Sequence, residues 1–151
     1  MKTPTQIYLD VSCLNRPFDD QSQPRIRLEA EAVRLILENA DSRSWRLLVS
    51  EVAIAEIEAT PDPRRRADVL DLLPDNEDVV SFSVEAVGRG NELKACGFSF
   101  ADALHLAAGE EAGAAVFLTC DRRLLRRAKR LGVALKLRVL NPLQWLEEQD
   151  L

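Results

Sequence analysis

Four acidic side chains stand where an α/β chain can use them for chemistry. Asp10 closes a short apolar run at residues 6–10, and Asp121 follows a second such run at 115–119. Asp102 lies three residues after Ser99 in a capping pattern, at the start of a helical stretch. Glu56 lies six residues past Ser50, on the helical stretch that follows residues 45–49. In a parallel sheet the two strand-end acids emerge at the same edge, beyond the carboxyl ends of the strands, where α/β folds bind ligands. Packing of the two helices brings Glu56 and Asp102 toward the same place. Carboxylates gathered in one pocket repel and raise one another's pKa values. Apart from His105, one turn after Asp102, no histidine or lysine is fixed by sequence among them. Oxygen-only ligation of Mg2+ or Mn2+ resolves that repulsion. Such an ion binds phosphate esters, activates water and offsets charge on a leaving oxygen. Taken singly the four are weak signals, because the chain has 25 Asp+Glu and first helical turns favour Asp anyway.

The elements that must position them can be read from the pattern. A chain of 151 residues with 46% apolar and 30% charged residues fits one domain over residues 1–151. Strands are expected at 6–10, 45–49, 78–82, 115–119 and 136–140. Helices are expected from Ser22 and Pro24, from Ser50 to about Ala59, over 64–73 ending near Pro74, over 83–96 with Gly97 as a stop, from Ser99 to about Ala112, over 122–131 before Gly132, and from Asn141-Pro142. Residues 13–21 read as a polar loop. Strand and helix alternate, so a mostly parallel sheet of about five strands is expected.

The quartet and its surroundings resemble a PIN domain, the fold of many prokaryotic toxin ribonucleases of the VapC kind. The matching pieces are Ile7-Tyr8-Leu9-Asp10, the run from Ser50 to Glu56, Phe100-Ala101-Asp102-Ala103-Leu104-His105-Leu106-Ala107, and Leu118-Thr119-Cys120-Asp121. They occur in the family's order and span residues 7 to 121. The resemblance implies a three-layer α/β/α sandwich around a parallel sheet. It implies that Asp10, Glu56, Asp102 and Asp121 form an acidic Mg2+ or Mn2+ site and that single-stranded RNA is cut by a metal-activated water. It also implies an antitoxin protein as partner, a toxin role, and a homodimer. Many family members carry Asn two residues after the first Asp; here Ser12 stands there, and its hydroxyl can still orient Asp10. Thr119 matches the family's usual hydroxyl two residues before the last acid. Ser50 to Glu56 is the family spacing, which sets Glu56 above Glu51 and Glu58 as the second acid.

The net charge is −5, yet residues 122–138 hold eight bases and no acid, a local +8 against −13 elsewhere. Arg122, Arg123, Arg126 and Arg127 lie on the polar face of an amphipathic helix whose apolar side is Leu124, Leu125, Ala128 and Leu131. Beginning beside Asp121, this face is suited to guide an RNA backbone into the cleft. A solvated helix face and an acidic surface on a partner are the competing readings. His105 reads as a packing or supporting group, and Trp45 and Trp145 as core or interface residues. Cys13, Cys96 and Cys120 form no Cys-x-x-Cys pair, so neither a disulfide framework nor a zinc site is expected.

No apolar leader follows Lys2, and the purest apolar run, 114–118, is too short to span a bilayer. A reduced, cytoplasmic protein without membrane contact is expected. Two other function classes compete with a nuclease. One is a non-catalytic PIN-like module binding RNA or protein, which need not keep all four acids. The other is a phosphoryl-transfer domain of receiver or haloacid-phosphatase type. The second wants Asp at position 12, where Ser12 stands, or a phosphorylatable Asp ending a middle strand, which 80–82 does not supply.

Overall fold

The computed structural model describes residues 3–73, 78–81 and 83–150. Strand β1 (Thr5–Leu9) is followed by α1 (Val11–Asn15), a 3-10 turn (Arg16–Phe18) and α2 (Pro24–Asn39). Strand β2 (Trp45–Ser50) leads into α3 (Glu51–Glu58) and α4 (Pro63–Leu70), and β3 (Val79–Val80) into α5 (Val84–Ala95) and α6 (Phe100–Glu111). Strand β4 (Val116–Leu118), α7 (Arg122–Leu131), β5 (Arg138–Leu140) and α8 (Pro142–Glu147) complete the order. Several helices begin where a polar side chain accepts from their first turn, as Asp62 does for α4 and Asn141 for α8. Ser50, Ser83, Ser99 and Asp121 accept from the backbone N–H groups of Ala53, Ala86, Asp102 and Arg123.

The five strands are all parallel, in the order β3-β2-β1-β4-β5. Central β1 pairs with β2 through Ile7↔Leu47 and with β4 through Ile7↔Val116. The chain runs outward from β1 to β3 on one side, then crosses to β4 and β5 on the other. The strand order therefore reverses between β1 and β4, and their carboxyl ends border a crevice. Period-two alternation divides the core. Ile7, Leu9, Val49 and Leu118 face a layer holding Cys13, Leu14, Val33, Ile36, Ala53, Ile57 and Trp145. Tyr8, Leu48 and Phe117 face the opposite layer with Leu93, Ala103, Leu106, Leu124 and Ala128. This is the expected α/β/α sandwich. Each fully buried Leu or Ile contributes about 1.5–3 kcal/mol, and most of the cost of ordering the sheet is offset this way. Trp45 and Trp145 meet edge to face at 4.8 Å, closing the core at its far end.

Several boundaries differ from the sequence expectation. The supposed polar loop at 13–21 holds α1 and the 3-10 turn. Cys13 and Leu14 anchor it in the core, Arg16 bridges Asp19 and Glu29, and Arg65 from α4 reaches Asn15, Asp19 and the Phe18 carbonyl. Five residues are too few to show helical periodicity. The helix expected over 64–73 stops at Leu70, and Pro74 lies outside the described residues. The third strand is Val79–Val80, while Phe82 lies outside the described residues. Among the described residues no helix is long and apolar enough to cross a membrane.

Candidate functional site

Asp10 follows β1 in extended backbone (φ −70°, ψ 150°), so its side chain leaves the sheet at the crevice beside β4. It is buried, 7% exposed, and stands at the N-cap position of α1 with no side-chain bond to that helix's first turn. Two hydroxyls hold it. Ser12 Oγ donates to Asp10 Oδ2 at 2.8 Å and Thr119 Oγ1 donates to the same oxygen at 2.7 Å. Those hydroxyls are themselves fixed by backbone donors: Cys120 N–H to Ser12 Oγ at 3.0 Å and Asp121 N–H to Thr119 Oγ1 at 3.1 Å. The chain carrying Asp121 is thus tied to Asp10 through two side chains. Both hydroxyl bonds converge on Oδ2.

Asp102 is half-buried in the first turn of α6, its backbone N–H capped by Ser99 Oγ at 3.1 Å. Burial raises its pKa above the ordinary carboxylate value, and the charges of Asp10 and Asp121 add to the rise. Burial likewise raises the pKa of Asp10, against the lowering by His105, Thr119 and Ser12. Asp121 caps α7: its Oδ1 accepts from Arg123 N–H at 2.9 Å and Leu124 N–H at 3.3 Å. Asp102 is therefore close enough to feel the charges of both Asp10 and Asp121.

Glu56 is placed differently. Its Oε1 bonds His105 Nε2 at 2.9 Å, and the His105 ring lies 1% exposed behind it. His105 Nδ1 meets Tyr8 Oη at 2.7 Å, and Tyr8 Oη donates to Ser50 Oγ at 2.7 Å. Burial lowers the His105 pKa, but the Glu56 bond and the charges of Asp10, Glu56 and Asp102 outweigh it, and the net direction is up. Burial holds the Tyr8 phenol far above its usual value, so it stays neutral.

Sequence reasoning missed this hydrogen-bonded chain. Its links join residues 42 to 97 positions apart, and no local spacing announces them. The one available signal was a lone histidine one turn after Asp102. A second missed pair is Cys13 and Cys120, both buried, with sulfurs 3.9 Å apart. Glu51 and Glu58 are exposed on α3, away from the bonds that hold Glu56.

The donors suit a hard divalent cation, being carboxylate and hydroxyl oxygens beside a buried, raised carboxyl. Among the described residues, however, no three acidic, histidine or cysteine side chains converge as a ready-made metal set. The reason lies in the bonds just described: Glu56 is held by His105 and one oxygen of Asp121 by the α7 cap. One oxygen of Asp10 is likewise taken, by Ser12 and Thr119.

The α7 arginines border this region. Arg122, Arg123 and Arg126 are exposed, and Arg127 is half-buried against the turn before α6. Leu124 and Ala128 form the buried side of the helix, as the amphipathic pattern predicts.

The comparisons with known proteins fit this geometry. The PIN domain model matches residues 7–131. No curated protein matches the chain. Among solved structures, FitAcB from Neisseria gonorrhoeae superposes with TM-score 0.58 at 17% identity, covering 90% of this chain and 97% of its own. VapBC2 from Rickettsia felis, solved bound to a DNA fragment from its promoter, gives 0.58 at 13% identity, with 91% and 98% covered. PAE2754 from Pyrobaculum aerophilum gives 0.53 at 19% identity, with 99% and 95% covered. At those identities the likeness is one of fold. The family model, running from the strand before Asp10 through the arginine helix, carries the assignment further: the chain belongs to the PIN domain family.

Proposed function

We propose that this chain is a metal-dependent endoribonuclease acting on single-stranded RNA, the toxin half of a toxin–antitoxin pair. The observation that carries the reading is Asp10, a buried carboxylate oriented by two hydroxyls at the strand-order reversal, with Asp102 within reach of its charge and of that of Asp121. Asp10, Asp102 and Asp121 would hold Mg2+ or Mn2+, with Glu56 turning in from His105. When bound, the ion neutralises the acids, binds a phosphodiester and lowers the pKa of water. The chain's own residues do the rest. Ser12 and Thr119 keep Asp10 in one orientation, Arg122, Arg123, Arg126 and Arg127 draw the RNA backbone toward the crevice, and His105 holds Glu56. The solved relatives named as VapBC support an antitoxin as partner, and family habit supports a homodimer.

The competing reading is a non-catalytic module that binds RNA or protein on this face. It is favoured by the engagement of Glu56 and Asp121 in other bonds. One experiment separates them. The purified protein is incubated with single-stranded and structured RNAs in Mg2+, Mn2+ or EDTA, beside Asp102→Asn. Cleavage that needs the metal and is lost in the variant is expected. Cleavage surviving EDTA or the substitution overturns the metal mechanism, and binding without cleavage of any RNA favours the module.

A further inference from the structure

A groove runs between the turn that precedes α6 and the first two turns of α7, lined by Gly97, Phe98, Ser99, Arg123, Leu124 and Arg127. Its walls are continuous with the two acids that flank the crevice. Ser99 lies three residues before Asp102 and caps its N–H, and Arg123 lies two residues after Asp121 and donates its own N–H to that carboxylate. The groove is shaped by a glycine. Gly97 has φ +109°, which other residues rarely adopt, and a Cβ there would lie 2.8 Å from Arg127 Nη1. The absence of that atom lets the guanidinium lie against the turn.

The arginines here differ from those held in ion pairs. Arg16, Arg65, Arg89 and Arg138 are each bonded to carboxylates. Among the described residues neither Arg123 nor Arg127 has an acid or a carbonyl on its guanidinium, although the chain is acidic overall. Two unpaired guanidinium forks facing one groove match the oxygens of a phosphate, which each can take in bidentate fashion. A carboxylate-rich peptide would bring its charges side by side against Asp102 and Asp121. A nucleic acid strand carries one charge per nucleotide, so one phosphate can seat here while the next lies over the acids.

Resting on the ribonuclease reading, we infer that this groove is a subsite for a backbone phosphate of the single-stranded RNA, one linkage from the bond to be cut, held by Arg123 and Arg127. Arg122 and Arg126 do not line it and serve only the general field of the helix. Gly97 and Ser99 shape it, and neither base identity nor the 2′-hydroxyl is read there.

The test separates this inference from the activity. Binding of a fluorescent single-stranded RNA octamer is measured in EDTA, where cleavage cannot intervene, over a salt series, for the wild type, Arg123→Gln, Arg127→Gln and, as control, Arg130→Gln. Thermal melts check that each variant is folded. Each groove variant should weaken binding by roughly tenfold, one strong contact's worth, and flatten the salt slope by about 0.7. Arg130→Gln should do markedly less. A single neutral methylphosphonate is then walked along the octamer. One position should cost the wild type about as much as the arginine does and cost Arg127→Gln little more, because both changes remove the same contact. Groove variants that behave like Arg130→Gln, or a methylphosphonate penalty that persists unchanged in Arg127→Gln, overturn the subsite, even if the RNA is cleaved normally. RNA bound with this signature but never cut in Mg2+ or Mn2+ upholds the subsite and overturns the nuclease. Arginine-dependent binding of poly-glutamate but not of RNA overturns it in favour of an acidic protein partner.

Discussion

At the residue scale, the raised carboxyls of Asp10 and Asp102 share the crevice with a buried histidine whose pKa is also raised. Removing His105 takes away two hydrogen bonds. His105→Ala should lower stability by about 1–3 kcal/mol, since Tyr8 loses a buried partner while Glu56 can turn to water. His105→Gln, which keeps a donor toward Glu56, should recover part of the loss and of the RNA cleavage rate. Urea melts and initial rates check this, and an alanine variant equal to wild type in both would remove His105 from the site. Asp10 gives a pH prediction. Burial raises its folded pKa above the unfolded value, so the folded state holds the proton longer, and stability falls as pH rises through that interval. In EDTA, Asp10→Asn should melt higher than wild type at pH 7 and converge with it as the pH falls below the ordinary carboxylate range. Equal melting temperatures at pH 7 would show that the carboxylate costs nothing where it stands.

At the element scale, helix starts carry the site. Ser99 caps α6 and thereby fixes the turn that bears Asp102, and Asp121 caps α7 while remaining a candidate ligand. Ser99→Ala should cost about 1 kcal/mol by urea denaturation, with a larger effect on cleavage than on global fold because Asp102 loses its mooring. An unchanged denaturation midpoint would mean that water caps the turn equally well. The α5–α6 pair is clamped by Arg89, which donates from Nε to Glu110 Oε1 at 2.7 Å and from Nη2 to Glu110 Oε2 at 3.2 Å. These caps are local features, and the sequence showed Ser50, Ser99 and Gly132 in place. It did not show α1 or the 3-10 turn, because the bonds that make them, from Glu29 and Arg65, come from other elements.

At the scale of the whole molecule, charge is divided between an acidic body and the arginine helix, and the crevice sits at their boundary. Metal should stabilise the fold by mass action. At a hundred times its Kd, an ion bound only by the folded state adds about 2.7 kcal/mol, roughly 5–10 °C for a domain of this size. Thermal melts in Mn2+ against EDTA should show this rise for the wild type and not for Asp102→Asn. A rise of equal size in both would place the ion elsewhere.

The sequence by itself determined the alternation of strands and helices, the parallel sheet, the positions of the four acids and the two hydroxyls, and the polarity of α7. These depend on periodicity, caps and strand ends, which act over a few residues. Tertiary structure alone decided which acids face one another and which are bound elsewhere. It turned Glu56 to His105, put Tyr8 and Ser50 behind that histidine, brought Thr119 and Ser12 onto one oxygen of Asp10, and left Arg123 and Arg127 open to a groove made by Gly97. Those contacts join strands and helices far apart in the chain, and their geometry is set by how the two layers pack on the sheet. No spacing in the sequence encodes it.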